Sequence, residues 1–328
     1  MPTVLIAPAP LRGQPGPFRE ILKAAGFDCI DPVGGPTLNE PELRATMPDA
    51  DAMIAGGERI TAELLDRAPR LRAIARTGVG YDAVDLSAAT ARKIPVMITP
   101  GTNQESVAEQ TFALLLALTR SIAHNDRTIH AGGWDRTLVT PLRGKTLGLV
   151  GLGRIGRAVA TRAFAFGLRV VAYDPVPGDA EFEARHGIAR LGFEALLAES
   201  DVVSLHLPLS EATFGLINKA SLARMRPGSY LLNTARGGLV VEADLAADLA
   251  SGHLAGAGLD VLNNEPPEPG NPLLGLPNVI LSPHIGGIDT KSMADMAELA
   301  ARCVVALHQG LWPAGCVVNE ELKNGWRW

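Results

Sequence analysis

Cysteine is scarce in this sequence. Its 328 residues include three, Cys29, Cys303 and Cys316. The number is odd and the spacing wide, which excludes a disulfide framework and a cysteine-based metal centre; three reduced thiols in a cytoplasmic protein are expected instead, with no metal. A basic surplus is also lacking. Lys and Arg number 30 against 35 Asp and Glu, a formal charge of −5, and no Lys/Arg-rich run is present, so a general nucleic-acid binder is excluded. Long apolar runs are absent. The longest aliphatic stretch, Phe112–Leu118, falls far short of the roughly 20 residues a helix needs to span a bilayer, and the apolar start MPTVLIAPAP has no basic segment before it, as a signal peptide would. There is no internal repeat and no low-complexity segment. What remains is globular: 47% hydrophobic and 20% charged residues, at a length that suggests two domains, each with its own core.

Short apolar runs alternate with helical patterns along the chain. Thr3–Ala7, Asp51–Ala55, Leu71–Ala75 and Pro95–Ile98 read as strands, with helices at Phe18–Ala25 and Ala62–Ala68 between them. This alternation predicts α/β architecture, parallel sheets covered by helices on both faces. A long helix is predicted from near Asn103 to Arg120, after the Pro100-Gly101 break, with Thr102 and Glu105 as a capping box. Its body is apolar on most sides, which predicts burial between domains or subunits. A second series of strands follows: Thr146–Val150, Arg169–Tyr173, Val202–Leu205, Tyr230–Asn233, Ala257–Val261 and Val279–Ser282. A final helix is predicted over Thr290–Gln309, stopped by Gly310, with Met293, Met296, Ala297, Ala300, Val304 and Leu307 on one apolar face. It is expected to carry the chain back to the first domain.

Gly151-Leu152-Gly153-Arg154-Ile155-Gly156 is a GxGxxG set between a strand, TLGLV, and a helical run. In that setting the first glycine permits a tight turn, the second lets a pyrophosphate approach the backbone, and the third lets helix and strand pack closely. The free amides at the helix start then face the phosphates. The following strand ends at Asp174, near the spacing of about 20 residues at which an acidic residue takes the ribose hydroxyls. A carboxylate there repels a 2′-phosphate, so NAD is favoured over NADP. A flavin or S-adenosylmethionine could use the same architecture.

Three polar residues stand just past strand ends, where open parallel sheets bind ligands: Arg236 after YLLNT, Glu265 after GLDVLNN and His284 after NVILSP. Reduction of a 2-oxo acid needs a hydride from one side and a proton on the carbonyl oxygen. An imidazolium can give that proton near neutral pH. A neighbouring carboxylate favours the charged imidazole and fixes its tautomer. A guanidinium binds the substrate carboxylate by two parallel bonds.

The segments GLGRIG, SLHLPLS, LLNTARGGLV, AGLDVLNNEP and LSPHIGG resemble the D-isomer-specific 2-hydroxyacid dehydrogenase family over nearly the whole chain. That family includes glyoxylate/hydroxypyruvate reductases, 3-phosphoglycerate dehydrogenases, D-lactate dehydrogenases and formate dehydrogenases. The resemblance implies two Rossmann-like parallel-sheet domains: a flavodoxin-like substrate domain (1–99 and 287–328) and an NAD-binding domain (100–286) inserted into it. It implies that His284 is the acid/base, Glu265 its partner and Arg236 the residue that orients substrate and polarises its carbonyl. It implies that Thr234, Ala235, Arg236, Asp260 and the His284–Gly287 turn, with Gly286 and Gly287, line the nicotinamide, while Arg154, Ile155 and Asp174 hold the adenosine half. Thr77–Asp82 matches the family's GVGxD turn, so the Val79 and Gly80 amides would hold the substrate carboxylate, with His284 and Arg236 also touching substrate. His206 reads as structural or as cofactor wall. A homodimer joined through the Asn103–Arg120 helix is implied as well.

Gly56–Ile60 resembles glyoxylate/hydroxypyruvate reductases, whereas Arg76–Gly80 resembles phosphoglycerate dehydrogenases, with Arg76 a candidate substrate ligand. The latter usually carry a further Arg near Gly56; Arg59 stands close by. Phosphite dehydrogenase would want a Lys at Val79. The chain ends soon after the return helix, without the regulatory domain of longer phosphoglycerate dehydrogenases. The expectation is therefore an NAD-dependent reductase of a small 2-oxo acid such as glyoxylate or hydroxypyruvate. Phosphoglycerate dehydrogenase is the alternative, and a non-enzymatic, NAD-sensing corepressor-like protein is the alternative of another class. Against the last stands the lack of a long disordered extension.

Overall fold

The computed structural model describes residues 1–328. The chain divides into two units, Met1–Asn103 with Gly287–Trp328, and Gln104–Gly286. In the first, strands β1 (Thr3–Ile6), β2 (Asp28–Ile30), β3 (Ala52–Ala55), β4 (Ala73–Arg76) and β5 (Val96–Met97) alternate with helices α1 (Pro17–Ala24), α2 (Glu40–Thr46), α3 (Ala62–Asp66) and α4 (Leu86–Ala91). The second opens with helices α5 (Gln104–Thr119) and α6 (Ile122–His130). Strands β6 (Thr146–Val150), β7 (Arg169–Tyr173), β8 (Ala189–Arg190), β9 (Val202–Leu205), β10 (Tyr230–Asn233), β11 (Gly256–Leu259) and β12 (Val279–Leu281) follow. Between them run α7 (Arg154–Ala165), α8 (Ala180–His186), α9 (Phe193–Glu199), α10 (Lys219–Leu222) and α11 (Glu242–Ser251). Helix α12 (Thr290–His308) belongs to the first unit.

Both sheets are parallel throughout. The first has order β2-β1-β3-β4-β5, which is the flavodoxin-like order. The second has order β12-β11-β10-β9-β6-β7-β8, the Rossmann order with one strand added. The inner strands are buried at every position, AMIA in β3 and VVSL in β9, because helices cover both faces of a parallel sheet. Helix α12 lays Met293, Met296, Ala297, Ala300, Val304 and Leu307 into the first unit's core beside α1. Its alanines leave room for close approach to β3 and β4. Gly310, at φ +75°, ends the run, with the Leu311 amide bonded to the Ala306 carbonyl.

The chain departs from the sequence expectations in four places. Thr102 and Glu105 form no capping box: the Thr102 hydroxyl donates to the Thr99 carbonyl (2.7 Å), and Glu105 pairs with Arg162 (2.8 Å). The apolar surface of α5 is consumed within its own unit, where Ala108, Phe112, Leu114 and Leu115 pack with Val159, Val170 and Leu232. Strands β2 and β8 had no apolar signature, because they are sheet edges with exposed or half-buried residues. Helix α6 also escaped notice; it buries none of its residues. No helix is long and apolar enough to cross a membrane.

Candidate active site

The three glycines of the GxGxxG do three different things. Gly151 has φ +107°, and a Cβ there would lie 2.7 Å from the carbonyl carbon of His206. Gly156 abuts the Gly151 carbonyl oxygen, which a Cβ would approach to 2.2 Å. Both are demanded by the fold. Gly153 is different: a Cβ there would meet nothing within 4 Å. The space beside it is open, as a backbone that receives a ligand requires. Gly153 is also the N-cap of α7 and supplies no side-chain cap; the first bond back to it comes from the Arg157 amide. The amides of Arg154, Ile155 and Gly156 therefore face outward, a ready anion site. This motif lies past β6, which pairs with β9 at the point where strand order reverses. A dinucleotide fits this cradle.

Asp174 follows β7 and anchors the turn. Its carboxylate accepts from the Leu152 amide (2.8 Å) and the Val176 amide (2.9 Å). Each oxygen retains capacity for a further hydrogen bond. His206, past β9, has Nε2 bonded to Ser204 Oγ (2.8 Å) while Nδ1 is buried without a partner. Burial of the ring pushes its pKa down to about 3. It is neutral at physiological pH and unsuited to proton transfer in reduction.

The three adjacent strands β10, β11 and β12 deliver Arg236, Glu265 and His284 from their carboxyl ends. His284 Nδ1 lies 2.6 Å from Glu265 Oε2, and Glu265 Oε1 accepts from the Leu262 amide (3.0 Å). The carboxylate thus fixes the ring and leaves Nε2 for a reacting atom. Burial tends to raise the Glu265 carboxyl. The His284 hydrogen bond and charge, the Leu262 amide and the nearby Arg236 charge outweigh it and hold the group below the usual carboxylate range. Arg236 begins a turn pinned by Asn233. The Asn233 amide group donates to the Arg236 carbonyl (2.8 Å) and its oxygen accepts from the Ala235 amide (3.0 Å). Thr234 is buried against Thr111 of α5, hydroxyl to hydroxyl at 3.0 Å.

Asp260 shapes the histidine turn. Only 2% exposed, it accepts from the Ile285 amide (3.0 Å), the Gly286 amide (2.7 Å) and the Ser282 hydroxyl (2.6 Å), and Gln110 donates to Ser282 (2.8 Å). A Cβ at Gly286 would lie 2.8 Å from Asp260 Oδ2. The turn holds His284 at φ +54°, a left-handed conformation uncommon outside glycine.

In the first unit, the Thr77–Asp82 turn follows β4. Gly78 has φ +135° and its amide donates to Thr99 Oγ1 (2.8 Å). The amides of Val79 and Gly80 make no hydrogen bond within the unit, and Val79 is exposed. Arg76 is 7% exposed, and its Nε donates to the Gly80 carbonyl (3.2 Å). It braces the turn from behind, whereas Arg59 is exposed. Gly287 is where the chain re-enters this unit.

Sequence reasoning picked out the trio, the glycine turn and Asp174, but missed Asn233, Ser282, Gln110 and Thr111. Their types are ordinary, and only the position of each just inside or beside a strand end hinted at a role in holding the loops. The thiols stay outside the site. Burial raises Cys29 and Cys303 above their usual values, Cys303 further through neighbouring Cys316, as expected for inert thiols. No group of three or more His, Cys, Asp or Glu could hold a metal ion.

A model of the family described as D-isomer specific 2-hydroxyacid dehydrogenase, NAD binding domain, matches residues 112–286. A D-3-phosphoglycerate dehydrogenase of Mycobacterium leprae is 44% identical over 300 residues, covering 88% of this chain and 56% of that protein. The chain thus spans about half the length of that relative. A glyoxylate reductase of Thermofilum pendens is 40% identical over 323 residues, covering 94% of this chain and 93% of that one. A solved protein of Thermus thermophilus superposes with a TM-score of 0.86 at 42% identity, covering 96% of this chain and 100% of the other. Matched through its glycine turn and the strands that carry Arg236, Glu265 and His284, the chain belongs to the D-isomer specific 2-hydroxyacid dehydrogenase family.

Proposed function

We propose that the protein is an NAD-dependent reductase of small, unphosphorylated 2-oxo acids, glyoxylate or hydroxypyruvate, run in reverse as a D-2-hydroxyacid dehydrogenase. The observation that carries this reading is the 2.6 Å His284–Glu265 pair, set one strand away from Arg236. Bound NADH supplies the hydride. His284 gives the proton to the carbonyl oxygen through Nε2 and is held in the donating tautomer by Glu265. Arg236 binds the substrate carboxylate and polarises the carbonyl. In the first unit, the Val79 and Gly80 amides offer donors suited to a carboxylate. Residues Gly151, Gly153, Arg154, Ile155 and Gly156 hold the pyrophosphate, and Asp174 takes the ribose hydroxyls. Thr234, Ala235, Asp260, Gly286 and Gly287 line the nicotinamide.

Two observations favour an unphosphorylated substrate. Arg76, the cation that would meet a phosphate, is buried and engaged with the Gly80 carbonyl, and Gly56 supplies no cation. Exposed Arg59 and the Arg76–Gly80 segment favour the phosphorylated alternative. Measuring kcat/KM for glyoxylate, hydroxypyruvate and 3-phosphohydroxypyruvate with NADH and NADPH decides among these. Preference for the phosphorylated acid, lost in Arg59→Ala, would establish the alternative. No turnover of any 2-oxo acid beside tight NADH binding would favour a cofactor-sensing role.

A cytoplasmic homodimer is the assembly we infer. The apolar surface supporting it lies just beyond α5, in Ile122, Ile129, Trp134 (80% exposed) and Leu138 (fully exposed). Sedimentation of the Trp134→Ser/Leu138→Ser variant as a monomer, against a dimeric parent, is the expected result.

A further inference from the structure

We propose that the Glu183–Arg190 ion pair is a second determinant of cofactor choice, restraining a guanidinium that would otherwise receive the 2′-phosphate of NADP. The inference rests on the NAD reading above. Arg190 ends β8 and stands in register with Ala172 of β7, the strand that delivers Asp174. Its side chain runs to the loop after β7. One terminal nitrogen, Nη1, donates to the carbonyls of Asp174 (3.2 Å) and Val176 (3.0 Å), while Nε donates to Glu183 Oε1 of α8 (3.0 Å). Glu183 is the more buried partner, at 15% side-chain exposure against 31%. The loop closes onto both at Gly178, where a Cβ would lie 2.1 Å from Glu183 Oε1 and 2.2 Å from Arg190 Nη2.

A guanidinium is therefore fixed at the backbone of Asp174, beside the position of the adenine ribose. An arginine near this strand end is the usual means of accommodating a 2′-phosphate, through charge-assisted parallel bonds. Here its charge is balanced by Glu183. The neighbouring Arg157 is likewise balanced, by Asp179 (2.8 Å). Asp174 adds a carboxylate that repels a phosphate directly. Asp174 discriminates by direct contact with the ribose hydroxyls, whereas Glu183 discriminates by cancelling a cation. Glu183→Gln keeps an oxygen for Nε and removes only the charge.

The test is calorimetric titration of the full chain with NADH and with NADPH, without substrate. Glu183→Gln is expected to tighten NADPH binding about two- to fivefold, the worth of one partly exposed charge, and to leave NADH affinity unchanged. The gain should shrink as salt is raised and vanish in Glu183→Gln/Arg190→Met. An unchanged NADPH affinity, or a gain that survives loss of the arginine, overturns the proposal. NADH binding reports that each variant is folded. Should Glu183→Gln bind neither cofactor, Arg190→Met alone decides: a greater loss for NADPH than for NADH supports the role, and equal losses overturn it. Failure of the underlying NAD reading shows separately, as equal or tighter NADPH binding by the unsubstituted protein.

Discussion

The two parallel sheets are built by the same rules and equipped differently. At the carboxyl edge of the seven-stranded sheet, polar side chains stand in a row: Asp174, Arg236, Glu265 and His284 each follow a different strand. At the corresponding edge of the five-stranded sheet, the Thr77–Asp82 turn presents backbone amides, and Arg76 at the end of β4 is buried and bonded to the turn's Gly80 carbonyl. Amides suit a carboxylate common to every 2-oxo acid, because they recognise it without adding a titratable group. Side chains suit proton transfer, because only they change charge. On the proposed reading, the first sheet's turn offers amides suited to a carboxylate, and the second sheet's strand ends supply the titratable side chains.

Removing the proton donor is the strongest way to test that division. His284→Asn keeps a residue tolerant of the left-handed backbone and should lower kcat/KM by a factor of about 10²–10⁴, with the NADH dissociation constant unchanged in titration. Near-parental turnover would put the acid elsewhere. Glu265→Gln should lose about one to two orders of magnitude. It weakens the contact that fixes the ring at Nδ1. An unchanged kcat/KM would break the pairing. Because His284 and the Leu262 amide hold Glu265 below its ordinary range, the carboxylate's stabilising effect is complete above that range and is lost as pH falls through its depressed value.

On the other sheet, Gly78→Ala places a Cβ at φ +135°, a strain of about 1–3 kcal/mol that should displace the Val79 and Gly80 amides. KM for the 2-oxo acid should rise about tenfold, while NADH affinity stays put; an equal loss in cofactor binding would erase the contrast between the sheets. The smallest effect concerns His206. Its ring is neutral in the fold down to about pH 3, whereas an unfolded histidine takes up a proton below about 6.5. Unfolding free energy should therefore fall by up to about 1.4 kcal/mol per pH unit between those values. Denaturant titrations from pH 6.5 to 5 should show a shallower slope in His206→Gln than in the parent.

Much of this was legible in the chain itself. Strands β6, β7, β9 and β10 lie where their apolar runs predicted, since a strand buried on both faces has no other way to be written. The placement of Arg236, Glu265 and His284 past neighbouring strands was legible because each follows an apolar run that forms a strand, β10, β11 or β12. Arg76 shows the limit. Its sequence position matches that of a substrate ligand, but direction is a property of the folded turn, and the Gly80 carbonyl draws the guanidinium inward. Likewise Ser282 and Gln110 acquire meaning only once Asp260 collects the amides of a loop 25 residues further along. The Thr102–Glu105 pattern is the converse: a local motif gave way to a nearer local acceptor, the Thr99 carbonyl three residues back, and to a tertiary partner, Arg162.

The left-handed backbone at His284 also bears on how such a protein can change over generations. Few residues occupy that conformation comfortably; glycine and asparagine do so best. Histidine codons become asparagine codons by a single first-base change. The substitution that silences proton transfer while sparing the turn, the Asp260 network and the glycine cradle is therefore among the most accessible in the genetic code. A lineage can lose the reaction in one step and keep a folded, nucleotide-binding protein on which selection can act anew.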